Sequence, residues 1–125
     1  MDATKAGGTP VTVGGIRTAG LDVVDLAIET AGAVHELVRG IRGHSDLVDQ
    51  VTRATESVAL NLAEGAGRAG KDRRYHFGVA YGSAGEAMAA IRILLAYRVA
   101  DEERAGSVLG RLDRIRAIAW TLGHR

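Results

Sequence analysis

Residues 46–66, DLVDQVTRATESVALNLAEGA, decide the fold of this chain. Apolar side chains recur in this stretch every three or four residues, at Leu47, Val51, Ala54, Val58 and Leu62. That spacing places them on one face of an α-helix, whereas a half-buried strand would alternate apolar and polar residues. The stretch therefore predicts an amphipathic helix whose apolar face belongs to a core.

Apolar residues recur at the same helical spacing on both sides of this stretch, and no proline follows Pro10. The spacing predicts three further helices, from about Leu21 to Arg42, from about Lys71 to Val99, and from Asp101 toward the C-terminus. The apolar stripe of the first is Val24, Ile28, Ala31, Val34, Val38 and Ile41. The stripes of the other two are Phe77, Ala80, Ala84, Ala87, Ile91 and Leu94, and then Val108, Leu112, Ile115, Ala119 and Leu122.

Four helices joined by short connections predict an all-α fold, an antiparallel up-down-up-down four-helix bundle over residues 21–125. Residues 1–20 contain five glycines and the single proline without sustained periodicity. They predict a flexible N-terminal tail. On the third helix, Gly78, Gly82 and Gly85 lie about one turn apart, which favours close packing within the bundle; a groove for another helix is the alternative.

The composition limits the classes of protein to which this chain can belong. A length of 125 residues is enough for one domain. Its core is built mainly from small side chains, and thin cores are often stabilised by oligomerisation. The absence of cysteine excludes disulfides and thiolate metal sites. With no run of 18 apolar residues and no secretory signal pattern, the sequence predicts a cytoplasmic protein that does not span a membrane.

Charge is distributed unevenly along the chain, although the formal net charge is only +1. From Leu21 to Glu64, three basic residues stand against eight acidic ones, a balance of −5. From Gly65 to Arg125, eleven basic residues stand against six acidic ones, a balance of +5. Such a chain can attract polyanions to one side or dock onto copies of itself, and ordinary solvated helix faces are the simpler interpretation.

A cluster of polar residues follows one side of the second helix. Its members are Arg53, Ser57, Asn61, Glu64 and Arg68, spaced three or four residues apart beside the apolar stripe. The third helix can contribute Ser83 and Glu86. Because partly buried polar groups need partners, we predict a network between the helices in which Glu64 or Glu86 pairs with Arg53 or Arg68. A ligand-binding or catalytic role for these residues is the alternative.

The sequence carries no recognisable catalytic or metal motif, so we expect no enzymatic activity, no cofactor, no metal and no small-molecule substrate. The four histidines are scattered, and none has a glutamate or histidine partner at helical spacing. A basic connection between the second and third helices is more informative: Arg68, Lys71, Arg73, Arg74 and Tyr75. These cations could neutralise phosphates while the tyrosine stacks on a base, and a plain solvated turn is the alternative.

The segment QVTRATESVALNLAEG at residues 50–65, followed by Gly67-Arg68, resembles the hallmark of bacterial four-helix bundle proteins encoded in 23S rRNA intervening sequences. Ala80-Tyr81-Gly82-Ser83, with Glu86, is similar to the second signature of that family. The resemblance covers about Leu21 to Leu122 and implies a ring-shaped homopentamer of antiparallel bundles. One branch of the family looks like the accessory variability determinant of diversity-generating retroelements, which binds reverse transcriptase and nucleic acid and is strongly basic, unlike this chain.

Together, the resemblance and the basic connection lead us to expect a non-enzymatic, homo-oligomeric adaptor. The expected partners are further copies of the chain and either RNA or DNA or a nucleic-acid-processing protein. The alternative is a structural scaffold that assembles with itself and binds no nucleic acid.

Overall fold

A computed structural model of the chain describes residues 19–125, in which there are four α-helices and no strand. The helices are α1 (Ala19–Arg39), α2 (Ser45–Ala66), α3 (Gly70–Ala96) and α4 (Glu102–Gly123). This confirms the predicted all-α fold. The predicted N-terminal tail lies outside the described residues except for its last two, because α1 begins at Ala19 and not at Leu21.

The four helices pack in a closed order that is consistent with a bundle. Each helix contacts the next along the chain, and α1 also contacts α4. Their buried faces form two apolar clusters. One is centred on Val34, Val51, Ile91, Leu94 and Leu112. The other is centred on Val23, Leu62, Phe77, Ile115 and Leu122 and lies at the end of the molecule where α2 gives way to α3.

The predicted apolar stripes of α3 and α4 are buried along their whole length, and that of α2 is buried apart from the partly exposed Leu47. The stripe predicted for α1 is wrong in its first half. Ile28 is 57% exposed, whereas Ala27 and Thr30 are buried. The buried face includes a polar residue because the Thr30 hydroxyl donates a hydrogen bond to the Leu26 carbonyl oxygen, at 2.7 Å.

The connections between helices are short and use a few specific backbone conformations. His44 precedes α2 in the left-handed region, at φ 54°, and Gly70 opens α3 at φ 61°. Asp101 caps α4 as predicted, since its carboxylate accepts a hydrogen bond from the backbone amide of Arg104 at 2.8 Å. These turns fix where each helix begins and therefore which residues meet across the bundle.

The outward face of α3 carries glycines for which the described residues give no steric reason. A Cβ atom added at Gly78 or Gly82 would meet nothing within 4 Å, and one at Gly85 would be 3.7 Å from Arg116 Nε, an ordinary contact. Close packing within the bundle, the interpretation favoured from the sequence, is therefore wrong for these residues. Each glycine costs a helix interior roughly 1 kcal/mol relative to alanine.

Among the described helices, α3 alone is long and apolar enough to cross a membrane by length and composition. The relevant stretch of 18 residues has a mean hydropathy of 1.3, and 33% of it is buried. Core helices of soluble proteins pass the same test, so α3 is weak evidence for a membrane span. In this fold its buried face contacts α2 and α4.

Candidate functional site

A row of hydrogen-bonded polar side chains joins α2 to α3, and we call it the polar seam: Gln50, Ser57, Asn61, His76, Ser83 and Glu86. At its centre, Ser57 Oγ and Ser83 Oγ share a hydrogen bond of 2.9 Å. Asn61 Nδ2 donates to the Ser57 carbonyl oxygen at 2.9 Å and lies 3.2 Å from its hydroxyl. Because an amide oxygen only accepts, His76 Nδ1 donates to Asn61 Oδ1, at 3.0 Å.

Of the two carboxylates in the predicted network, Glu64 has one of the expected arginine partners and Glu86 does not. Glu86 accepts a hydrogen bond from Gln50 Nε2 at 2.6 Å and does not pair with an arginine. Glu64 does pair with Arg68, at 2.9 Å, but this pair is local and about half exposed, and it does not link α2 to α3. Within residues 19–125, the side chain of Arg53 makes no hydrogen bond and no ion pair, and it is exposed.

Helix geometry explains why Arg53 lies outside the seam. Successive residues turn by about 100° around a helix axis, so a step of four residues advances the side chain by about 40°. Over the eight residues from Arg53 to Asn61 the rotation accumulates to about 80°. The amide therefore faces α3, whereas the guanidinium points into solvent.

Close contact between α2 and α3 depends on a glycine. A Cβ atom at Gly65 would lie 2.9 Å from the ring of Phe77, closer than real Cβ contacts. A Cβ atom at Gly123 of α4 would lie 3.3 Å from Phe77 Cβ. The fully buried Phe77 ring thus occupies space that two glycines leave open. The role of Gly65 is steric and not helix termination, because α2 continues to Ala66.

Two of the predicted basic residues are engaged within the chain. Arg68 lies between carboxylates, with Glu64 at 2.9 Å and Asp72 at 3.5 Å. Arg73 Nη1 donates to the Gly65 carbonyl oxygen in the last turn of α2, at 3.3 Å, and its guanidinium sits 4.7 Å from the centre of the Phe77 ring. Both arginines therefore stabilise the connection between α2 and α3.

The other three predicted residues are available to a partner. Lys71, Arg74 and Tyr75 are exposed, with Tyr75 at 66% of its full accessibility. Within the described chain, the side chains of Lys71 and Arg74 make no hydrogen bond and no ion pair. The Tyr75 ring makes an edge contact with His76, at 5.1 Å between ring centres. We call Lys71, Arg74 and Tyr75 the basic end.

An open groove of about 210 Å³ lies between α3 and α4 beside the basic end. Its lining includes Arg74, Phe77, Tyr81, Trp120 and His124. Trp120 is 50% exposed, and one face of its ring stacks on His124 at 3.8 Å and 14°. The eight described residues that line this aromatic groove include no carboxylate.

Arg116 of α4 holds Tyr81, which lines the groove, in place. Its Nη2 donates to the tyrosine oxygen at 3.0 Å, and its guanidinium lies 4.6 Å from the centre of the ring. Because the tyrosine oxygen accepts this bond, its own hydrogen is free to be donated elsewhere. Arg111 and Arg114 are exposed on the same helix.

Sequence reasoning missed Gln50, His76, Tyr81 and Trp120 as site residues. Gln50 and His76 fall at helical steps from the polar cluster, so periodicity could have found them. The aromatic groove had a weaker signal, a tryptophan four residues before a histidine on one helix. Within the described residues, no group of three histidine, aspartate or glutamate side chains is placed to hold a metal ion.

Comparisons with known proteins agree with this architecture. The family model described as 23S rRNA-intervening sequence protein matches residues 19–120. A crystal structure at 1.70 Å resolution, of a protein with unknown function from the S23 ribosomal protein family of Bacteroides thetaiotaomicron VPI-5482, has a TM-score of 0.77. It is 16% identical in sequence, and the match covers 86% of this chain and 100% of that chain, which shows a shared fold. No curated protein matches the chain.

Proposed function

Because the chain belongs to the family of 23S rRNA-intervening sequence proteins, as its motifs predict, we propose that it is a non-enzymatic, homo-oligomeric adaptor that binds RNA or a nucleoprotein partner. The observation that carries this proposal is the basic end. Lys71 and Arg74 are exposed cations without carboxylate partners in the described chain, and Tyr75 beside them is exposed. Cations with an adjacent aromatic ring are the chemistry that binds phosphates and unstacked bases.

The proposal includes an antiparallel bundle in the cytoplasm. The partners in the polar seam support this direction of the helices, since their numbers run in opposite order on α2 and α3. Gln50 pairs with Glu86 at one end, Ser57 meets Ser83, and Asn61 meets His76 at the other end. Short connections of five residues or fewer between consecutive helices support the same topology for the whole bundle.

RNA affinity measured against salt concentration tests the adaptor. Replacing Lys71 and Arg74 with alanine is expected to weaken binding at low salt. Each lost phosphate contact also lowers the slope of log affinity against log salt by about 1. The charge-matched control replaces Arg42 and Arg92, exposed cations away from the basic end, with alanine. Affinity that is absent, or equal in the two double variants, contradicts this function.

A second candidate is a scaffold that assembles without nucleic acid, and the segregation of charge favours it. The balance of −5 over residues 21–64 lies on α1 and α2, and the balance of +5 over residues 65–125 lies mainly on α3 and α4. Opposite charges on two sides suit a contact in which one copy binds the next head to tail and closes a ring. The family resemblance implies five copies in that ring.

The outward face of α3 tests self-association directly. Gly82→Ala adds a methyl group where nothing lies within 4 Å, so the subunit itself is expected to gain up to about 1 kcal/mol of stability. If α3 packs against another copy, the same methyl group lowers the solution mass measured by light scattering. Gly106→Ala on α4, whose Cβ also meets nothing, is the control. A monomeric wild-type protein contradicts both assembly proposals.

A further inference from the structure

We infer that the aromatic groove between α3 and α4 receives a single unpaired base of a nucleic acid strand whose backbone lies along the basic end. This inference rests on the proposed adaptor function and names the site that distinguishes single strands from duplexes. It assigns the direct contact with the ligand to Trp120, Tyr81 and Arg74. None of these three belongs to the polar seam.

The shape of the groove favours one flat ring. Its volume of about 210 Å³ is below the roughly 300 Å³ at which pockets for drug-sized ligands begin. Phe77 lies among the residues that line it, and Trp120 and Tyr81 line it from α4 and α3. His124 stacks on the indole and fixes its orientation before any ligand arrives. An ordered aromatic ring loses little conformational freedom when a base stacks on it.

The polar groups of the groove match a nucleotide. The tyrosine hydroxyl already accepts a hydrogen bond from Arg116 and can donate its own hydrogen to a base carbonyl. Arg74, which lines the groove, is exposed, and Lys71 lies three residues earlier on the same face of α3, so a phosphate attached to the bound base meets positive charge. No carboxylate lines the groove to repel that phosphate.

Charge decides between a nucleic acid strand and an apolar side chain of a protein partner. An apolar anchor would need only the rings, and Arg74 at the groove would then have to lose solvent without gaining a partner. A nucleotide uses both the rings and the cation. The position of the exposed arginine therefore favours the nucleic acid.

Trp120 is the only tryptophan of the chain, so its fluorescence reports directly on the groove. We would titrate the full-length protein with a short single-stranded oligouridylate and, separately, with a duplex RNA of equal length. Uridines stack weakly on one another, and their bases are free to enter the groove. The expected result is quenching of Trp120 by the single strand and little quenching by the duplex, whose bases are stacked internally.

Trp120→Leu is expected to weaken binding of the single strand by about 5- to 150-fold, the effect of losing one stacked base. Trp120→Phe, which keeps a ring, is expected to restore most of the affinity. Tyr97→Leu is the matched control because Tyr97 is 57% exposed but does not line this groove. Circular dichroism of each variant verifies that the helices are retained.

The outcomes separate this inference from the function on which it rests. Salt-dependent binding of RNA with unchanged Trp120 fluorescence, and with equal affinities for Trp120→Leu and wild type, overturns the base-binding groove while the adaptor stands. Equal quenching by the single strand and the duplex also overturns it. Failure of the wild-type protein to bind either RNA overturns the adaptor's nucleic-acid role and the groove together.

Discussion

The interface between α2 and α3 and the interface between α3 and α4 differ in what their polar groups contact. On the α2 side, Ser57, Asn61, His76 and Ser83 bond to one another and are partly buried. On the α4 side, the aromatic groove leaves half of Trp120 exposed. The polar groups of the first interface are hydrogen-bonded to one another, whereas the aromatic groove at the second presents rings and a cation to solvent. The motif residues of α2 therefore fix how helices meet, and the binding that we propose uses other residues.

This contrast also separates stability from recognition. A satisfied network between helices stabilises one register, since a shifted register would leave donors and acceptors without partners. The exposed groove residues Trp120 and Arg74 add little to folding because they remain largely in water, unlike the buried Phe77 ring. Substitutions in the polar seam should therefore change the free energy of unfolding, whereas substitutions in the groove should change affinity. Four variants test the stability side of this division, and they are ordered here by expected size of effect.

The largest effect on the free energy of unfolding is expected at Phe77, which contacts both α2 and α4. Phe77 is fully buried and contributes to the lining of the aromatic groove, so Phe77→Ala should lower the free energy of unfolding by about 3–5 kcal/mol through lost apolar burial and a cavity. Urea denaturation followed by circular dichroism measures the loss. Phe77→Leu, which keeps most of the volume, is the control. A loss below about 1 kcal/mol would mean that the ring is not part of the core.

The next effect concerns the centre of the polar seam. Asn61→Leu leaves His76 and the Ser57 hydroxyl without their amide partner, and we expect a loss of about 1–3 kcal/mol. The double variant that also carries His76→Leu should recover part of the lost stability, because both partners of the hydrogen bond are then apolar. Chemical denaturation of the two single variants and the double variant measures the coupling. Strict additivity would argue that the two side chains do not interact.

A smaller loss is expected from closing the space beside Phe77. Gly65→Ala places a methyl group 2.9 Å from the ring, so either the ring or the helix must shift, at a cost of at least about 1 kcal/mol. Gly67→Ala is the control, since its Cβ would make only an ordinary 3.8 Å contact. Thermal unfolding of the two variants should differ in this direction. Equal midpoints would show that α2 and α3 are not in tight contact here.

The smallest effect is expected from the exposed ion pair. Glu64→Ala removes the partner of Arg68, but the two side chains are 52% and 48% exposed, and such pairs contribute about 0–1 kcal/mol. The comparison with Asn61→Leu is informative because both positions lie in the same motif. A loss of stability for Glu64→Ala as large as that for Asn61→Leu would show that the Glu64 carboxylate belongs to the network that stabilises the fold.

Much of the fold was predictable because the apolar residues of α2, α3 and α4 follow the helical period without competition. In α1 two stripes overlap. The choice between Ile28 and Ala27 depends on Thr30, a polar residue that is buried only because its hydroxyl bonds to the backbone of its own helix. Side-chain type alone cannot reveal that a hydroxyl is hydrogen-bonded to its own helix. The periodicity therefore predicted the more hydrophobic stripe, which is the incorrect one.

The candidate site was less predictable because it depends on contacts between helices. The sequence placed Ser57 and Asn61 on one face of α2, since their spacing follows the helix, and it offered Ser83 of α3 as a partner. It could not tell that Glu86 meets Gln50 and not an arginine, because the offset between two helices is set by packing, here by Phe77 against Gly65. The aromatic groove brings together residues from α3 and α4 that no local pattern connects.

The fit of Phe77 between Gly65 and Gly123 has a consequence for how this sequence can change over generations. A larger residue at position 65 is tolerated only if the residue at position 77 becomes smaller, so the two sites should be inherited as a pair. Position 123 adds a weaker third constraint, since its Cβ would be 3.3 Å away. In divergent members of the lineage, a larger side chain at one of these three positions should therefore accompany a smaller one at another, so that the summed side-chain volume stays nearly constant.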